Sequence, residues 1–176
     1  MAILFAKAMG CAVTVFSGSA GKVESKARDA FQLGADELRI LSDIDTVIRP
    51  DNLSDAERTD NASESLIDIL LICANETPDL DKILPFLARR ATIVLMSIQQ
   101  KSLVIPYMPF ILPGHRVIAS TEASRQNHLA MIQFAARHNI SPWIERFPMT
   151  EDGLKTAFDR LESGEMRYRG VLEMPA

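Results

Sequence analysis

The stretch best equipped for chemistry is residues 13–22, Val-Thr-Val-Phe-Ser-Gly-Ser-Ala-Gly-Lys. Four β-prone residues run into a small polar turn with hydroxyls at Ser17 and Ser19 and a cation at Lys22. β-Branched and aromatic residues suit a pleated strand, and glycine allows a tight turn. Helix-compatible sequence follows as far as Leu33-Gly34-Ala35-Asp36. Open α/β sheets take ligands at the carboxyl ends of their strands. A dinucleotide-binding fold usually carries an acid after its second strand to hold the ribose 2′-OH. Here no carboxylate appears before Glu24, while Ser17, Ser19 and Lys22 offer donors and charge. That composition suits a 2′-phosphate, and so NADP(H) over NAD(H). An ordinary turn with a solvated lysine is the other reading.

Other chemistries find less support. Gly18 to Lys22 resembles a P-loop only superficially, because its glycines are too close and Val23 replaces the required hydroxyl residue. No G-x-G-x-x-G fingerprint occurs. His115, His128 and His138 lie far apart, and neither C-x-x-C nor H-E-x-x-H is found. There is no G-x-S-x-G nucleophile elbow. Asp79, Asp81, Glu151 and Asp152 read as helix-start acids favoured by the macrodipole.

Composition bounds the class. A chain of 176 residues, 47% apolar and 24% charged, fits one globular domain with its own core. The net charge of −4 argues against general nucleic-acid binding. No apolar run reaches the roughly 18 residues of a membrane span. Residues 1–9 lack the basic start of a signal peptide. Two cysteines, Cys11 and Cys73, form no disulfide framework, so the expected compartment is the cytoplasm.

The elements that would position the site alternate. Residues 2–9 read as a helix stopped by Gly10. This helix has no N-cap or leading strand, which suggests a missing upstream element; a frayed terminal helix is the plainer alternative. Residues 13–16 form a strand, 26–33 lie in a helix and 37–41 form a short strand. Residues 42–65 read as loop with at most a weak helix. Residues 67–74 (IDILLICA) and 91–98 (ATIVLMSI) read as strands buried on both faces. Residues 79–88 read as an amphipathic helix weakened by Pro85. Short strands are expected at 103–106 and 117–120. A helix with an apolar side is expected at 126–138, and extended chain at 141–147. Thr150 caps a helix running through Leu161 and ended by Gly164, and a last strand covers 170–173. The pattern predicts an α/β fold with a mainly parallel sheet.

Several separated stretches then agree: MAILFAKAMG, VTVFSGS, LGAD, IDILLICA, LPFLARRATIVLMSI and PWIERFPMTEDGLKTAFDRLESGEMRYRGVLE. With these the chain resembles the carboxyl-terminal half of zinc-dependent, medium-chain alcohol dehydrogenases, in their NADP-dependent, cinnamyl-alcohol-dehydrogenase-like branch. The resemblance covers essentially the whole chain. It implies a Rossmann-type sheet lacking its first strand and glycine-rich loop. Residues 1–176 would be a partial dinucleotide-binding domain, and about 141–176 the segment that packs back on the family's catalytic domain. That domain carries the zinc ligands and most of the substrate pocket, so no catalytic or metal residue is expected here.

The resemblance also implies site residues. Ser17, Ser19 and Lys22, with Lys26 as the other lysine, match the 2′-phosphate turn. Cys73, Ala74 and Asn75 match the turn beside the adenosine ribose. Met96, Ser97 and Ile98 lie beside the nicotinamide, with Thr121 in a segment lining the same end. Arg169 matches an arginine that reaches the cofactor. Paired glycines usual before the fifth strand are replaced near Arg90-Ala91. Residues 104–120 resemble the edge through which relatives form homodimers. The implied function is the cofactor part of an NADP(H)-dependent alcohol or aldehyde oxidoreductase. The alternative is a non-catalytic truncated paralogue that binds nucleotide weakly or assembles with a partner.

Overall fold

A computed structural model describes residues 1–18, 23–52, 57–58, 66–74, 76–119 and 122–174. The chain divides into two compact units, Ala2–Met131 and Ile132–Ala176, the latter grouped with Met1.

The first unit begins with α1 (Ala2–Ala8), closed by Gly10 at φ 82°. β1 (Thr14–Ser17), α2 (Val23–Gln32) and β2 (Glu37–Ile40) form a βαβ unit, with Thr14 opposite Glu37 and Ser17 opposite Ile40 in a parallel pair. Such a pair needs a crossover, and α2 supplies it. Gly34, at φ 100°, turns the chain out of α2, a conformation without the Cβ penalty only in glycine. Ala27, Ala30, Leu38, Ile40 and Ile48 bury the seam between helix and sheet.

The loop expected at 42–65 contains two strands. β3 (Asp43–Ile48) runs antiparallel to β2, and β4 (Glu57–Arg58) antiparallel to β3. The acids at 43 and 45 hid a period-two pattern whose far end, Val47 and Ile48, is buried.

The second sheet is parallel: β5 (Ile67–Ile72), β6 (Leu87–Leu95) and β7 (Arg116–Ala119), in that order. Between β5 and β6 the expected helix shrinks to α3 (Leu80–Ile83), capped by Asp79, followed by a 3-10 turn at Leu84–Phe86. Pro85 cannot donate to an α-helical ladder, so the helix ends before it. Residues 103–106 form no strand, and α4 (Tyr107–Ile111) follows them. Leu70, Ile72, Leu80, Ile83, Leu87, Ala91 and Ile93 make the core of this half.

Burial on both faces does not hold for β5. Leu70 and Ile72 point into the core, while Ile69 and Leu71 on the opposite face are exposed. On that face Leu71 lies level with Val94 and, through it, with the exposed Ile118.

β1 and β5 are both sheet edges. A doubly wound sheet has the order 3-2-1-4-5-6. The order β2-β1 and the order β5-β6-β7 match the 3-2 and 4-5-6 runs of that pattern. Among the described residues β1–β4 and β5–β7 form two separate sheets. The α/β class with parallel strand pairs is what the sequence predicted; the antiparallel strands β3 and β4 make the first sheet mixed.

α5 (Arg125–Arg137) crosses the division between the units. Its apolar side is not covered: Leu129 and Ile132 are exposed. In the second unit β8 (Glu145–Pro148), α6 (Glu151–Glu162) and β9 (Gly170–Glu173) form another βαβ unit, with β8 and β9 parallel. Thr150 caps α6 by accepting from the Gly153 amide at 3.1 Å, and Gly164 leaves the last turn at φ 69°.

Candidate functional site

The site is built by strands that end together. Ile72 and Leu95, the last residues of β5 and β6, are register partners, and the Met96 amide donates to the Ile72 carbonyl at 3.0 Å. Two of the expected groups, Cys73-Ala74 and Met96-Ser97-Ile98, therefore leave neighbouring strands at the same sheet end. Both turns present surface: Cys73 and Ala74 are exposed, Met96 is 55% exposed and Ile98 is 92% exposed.

One side chain joins the two turns. Gln99 Nε2 donates to the Ala74 carbonyl at 3.2 Å and to Ser97 Oγ at 3.4 Å. Sequence reasoning missed Gln99, because an amide in a polar run carries no motif.

Ser17 ends β1 in the other sheet, and its carbonyl accepts from the Leu41 amide at 2.9 Å. Its strand partner row includes Arg39, opposite Phe16. Arg39 is buried, donates to the Ile44 carbonyl at 3.3 Å, lies 3.7 Å from a Glu37 carboxylate oxygen and stacks 4.9 Å over the Phe86 ring. Its charge is thus engaged inside the fold. Ser19, Lys22, Asn75 and Thr121 lie outside the described residues. Arg169 belongs to the second unit, immediately before β9. Its carbonyl accepts from the Glu145 amide at 2.8 Å and its amide donates to the Arg167 carbonyl at 3.1 Å, which fixes the backbone beneath an exposed side chain.

None of these described groups is set up as a nucleophile. Desolvation pushes the Cys73 thiol pKa up, although the residue as a whole is exposed. The thiol form prevails at neutral pH, and it is a poor nucleophile. Among the described residues no group of three or more His, Cys, Asp and Glu could hold a metal ion, so zinc does not fit this chain's described donors. No described helix is long and apolar enough to cross a membrane.

Comparison with known proteins places this geometry. The zinc-binding dehydrogenase family model matches residues 1–137. Cinnamyl alcohol dehydrogenase 8 of Arabidopsis thaliana is 32% identical over 173 residues, 98% of this chain and 43% of the relative. A mannitol dehydrogenase of Petroselinum crispum is 30% identical over 99% of this chain and 46% of its own length. Among solved structures, a cinnamyl alcohol dehydrogenase from Sorghum bicolor superposes with a TM-score of 0.75 at 30% identity, covering 98% of this chain and 44% of that one. The chain thus spans less than half the length of these relatives. With the fold, the parallel strand ends and the family match agreeing, the chain belongs to the zinc-binding dehydrogenase family.

Proposed function

We propose that this chain is the cofactor-domain portion of an NADP(H)-dependent oxidoreductase acting between a small alcohol and its aldehyde. The observation that carries the reading is the pair of exposed turns after β5 and β6, in a chain that matches alcohol dehydrogenases over nearly its whole length. A cinnamyl alcohol dehydrogenase of Helicobacter pylori, similar in fold, was solved with NADP(H) bound. When bound, NADP(H) supplies or accepts a hydride. This chain's part is to hold it. Ser17, Ser19 and Lys22 would take the 2′-phosphate, with no carboxylate before Glu24 to repel it. Cys73, Ala74 and Asn75 would lie along the adenosine ribose. Met96, Ser97, Ile98 and Thr121 would flank the nicotinamide, and Arg169 would reach the cofactor's anionic part.

A second reading is a non-catalytic paralogue that binds nucleotide weakly or assembles with a partner. The two free cysteines, Cys11 and Cys73, support a cytoplasmic location for either reading. Both readings also allow a homodimer through residues 104–120, where β7 is a sheet edge and Val104, Tyr107 and Leu112 are exposed.

Titration of the full chain with NADPH and NADH, followed by nucleotide fluorescence, tests the first reading. Saturable NADPH binding, about tenfold or more tighter than NADH, supports it. Equal affinity overturns the NADP(H) preference, and absence of binding overturns the cofactor role.

A further inference from the structure

We propose that Gln99 is a positioning residue that sets the spacing between the two cofactor-facing turns. The β5–β6 pairing stops at Ile72 and Leu95, with one more bond from the Met96 amide. Beyond that point the chains separate into exposed turns. The Gln99 carboxamide acts where the ladder ends. Its nitrogen carries two N–H donors, and it reaches the Ala74 carbonyl of one turn and the Ser97 hydroxyl of the other. A half-buried amide bond of this kind adds little net stability, because water would serve each group nearly as well. Its effect is geometric: a site is only as well defined as the groups that support its contact residues.

The proposal rests on the reading that NADP(H) binds across these turns. A ligand that meets both turns depends on their spacing, and one that meets only the adenosine side does not. NADPH and adenosine 2′,5′-bisphosphate are the two probes that separate these cases.

The experiment titrates both probes into the full chain, its Gln99→Ala variant and its Gln99→Glu variant, and follows amide hydrogen exchange through residues 72–74 and 96–98. Gln99→Ala is expected to weaken NADPH by about tenfold and the bisphosphate by less than about twofold. The turn amides should exchange faster, while the amides of β5 and β6 stay protected. Gln99→Glu should match the alanine variant at neutral pH, because a carboxylate donates nothing. It should regain NADPH affinity as pH falls toward the usual glutamate pKa, where its O–H can donate. A purely structural tie would weaken both probes equally with a fall in Tm and no recovery in acid, and that result overturns the positioning role. Unchanged NADPH affinity and unchanged exchange overturn it too. If the unmodified chain binds neither probe, the cofactor reading itself fails. In that case faster exchange in Gln99→Ala would leave only a structural tie.

Discussion

Lys7 Nζ stands 2.8 Å from Asp36 Oδ1 and 2.9 Å from Oδ2, and Asp36 Oδ2 also accepts from the Val13 amide at 2.7 Å. One carboxylate thereby ties α1, the entry to β1 and the turn between α2 and β2. The lysine stem lies close under Gly34, where a Cβ would stand 3.1 Å from Lys7 Cγ. The hydrogen bond from Lys7 is the main cause that lowers the Asp36 pKa, with the Val13 amide adding to it against desolvation.

A carboxyl whose folded pKa is depressed stabilises the fold above its unfolded pKa, near 3.8, and loses that contribution as pH falls through the lower folded value. Asp36→Asn should therefore lower Tm at neutral pH, and the two proteins should converge as pH falls below 3.8. Both side chains are partly exposed, so the screened effect is about 1 kcal/mol or less, a shift of roughly 2–4 °C. Thermal melts from pH 7 to pH 3 read it; a constant offset across that range would disprove the linkage.

His115 gives a second pH effect. It is buried, its ring lies 5.9 Å from that of Phe110, and neither ring nitrogen has a partner among the described residues. Burial lowers its pKa below the usual 6.5. The unfolded chain then binds the proton more readily, so the stability this residue allows is full above about pH 6.5 and fades as pH drops toward the folded pKa. His115→Leu, of similar volume and with no polar atoms to satisfy, should raise stability by about 1–3 kcal/mol. It should also flatten the dependence below pH 6.5. Urea melts at several pH values would show it, and an unchanged slope would contradict it.

The parallel strands could be read from the sequence because their apolar runs are dense, as in IDILLICA and ATIVLMSI, and the α6 helix because Thr150 and Gly164 mark its ends. β3 was hidden because Asp43 and Asp45 lie on its solvent side, so only Val47 and Ile48 signal burial. The helix at 79–88 was overextended because its amphipathic spacing outweighed Pro85 in the reading, and the backbone obeys the proline. At the site, the apolar runs continue to Ala74 and Ile98, past the strand ends at Ile72 and Leu95, so the turn residues follow from the family resemblance and not from the pattern. Gln99 could not be inferred, since its partners are a backbone carbonyl and a hydroxyl brought near only by the parallel register.

Arg90 takes φ 63°, a left-handed conformation that costs a residue with a Cβ about 1–2 kcal/mol. Its amide donates to the Pro113 carbonyl at 3.0 Å, a bond that any residue but proline can make. Arg90→Gly should relieve the backbone strain and keep the bond. Part of the gain is offset by the greater freedom of unfolded glycine, leaving about 0.5–1 kcal/mol of added stability. Chemical denaturation measures this directly, and a destabilised variant would mean that the arginine side chain contributes more than its backbone costs.

Gly153 is fixed by space, not by φ. It is the third residue of α6, and its amide donates to Thr150 Oγ1. A Cβ at this position would overlap the Pro148 carbonyl oxygen and lie 2.9 Å from Pro148 Cγ. Pro148 ends β8, so the obstacle is largely backbone and cannot rotate away. Gly153→Ala should push α6 off β8 and cost about 1–3 kcal/mol, despite alanine's better helix propensity. Thr150→Ala, which removes the cap and leaves the packing, should cost about 1 kcal/mol. Hydrogen exchange of the β8 and β9 amides separates the two: faster exchange in Gly153→Ala than in Thr150→Ala follows from a displaced helix. The reverse order would place the weight of this unit on the cap instead of the close approach.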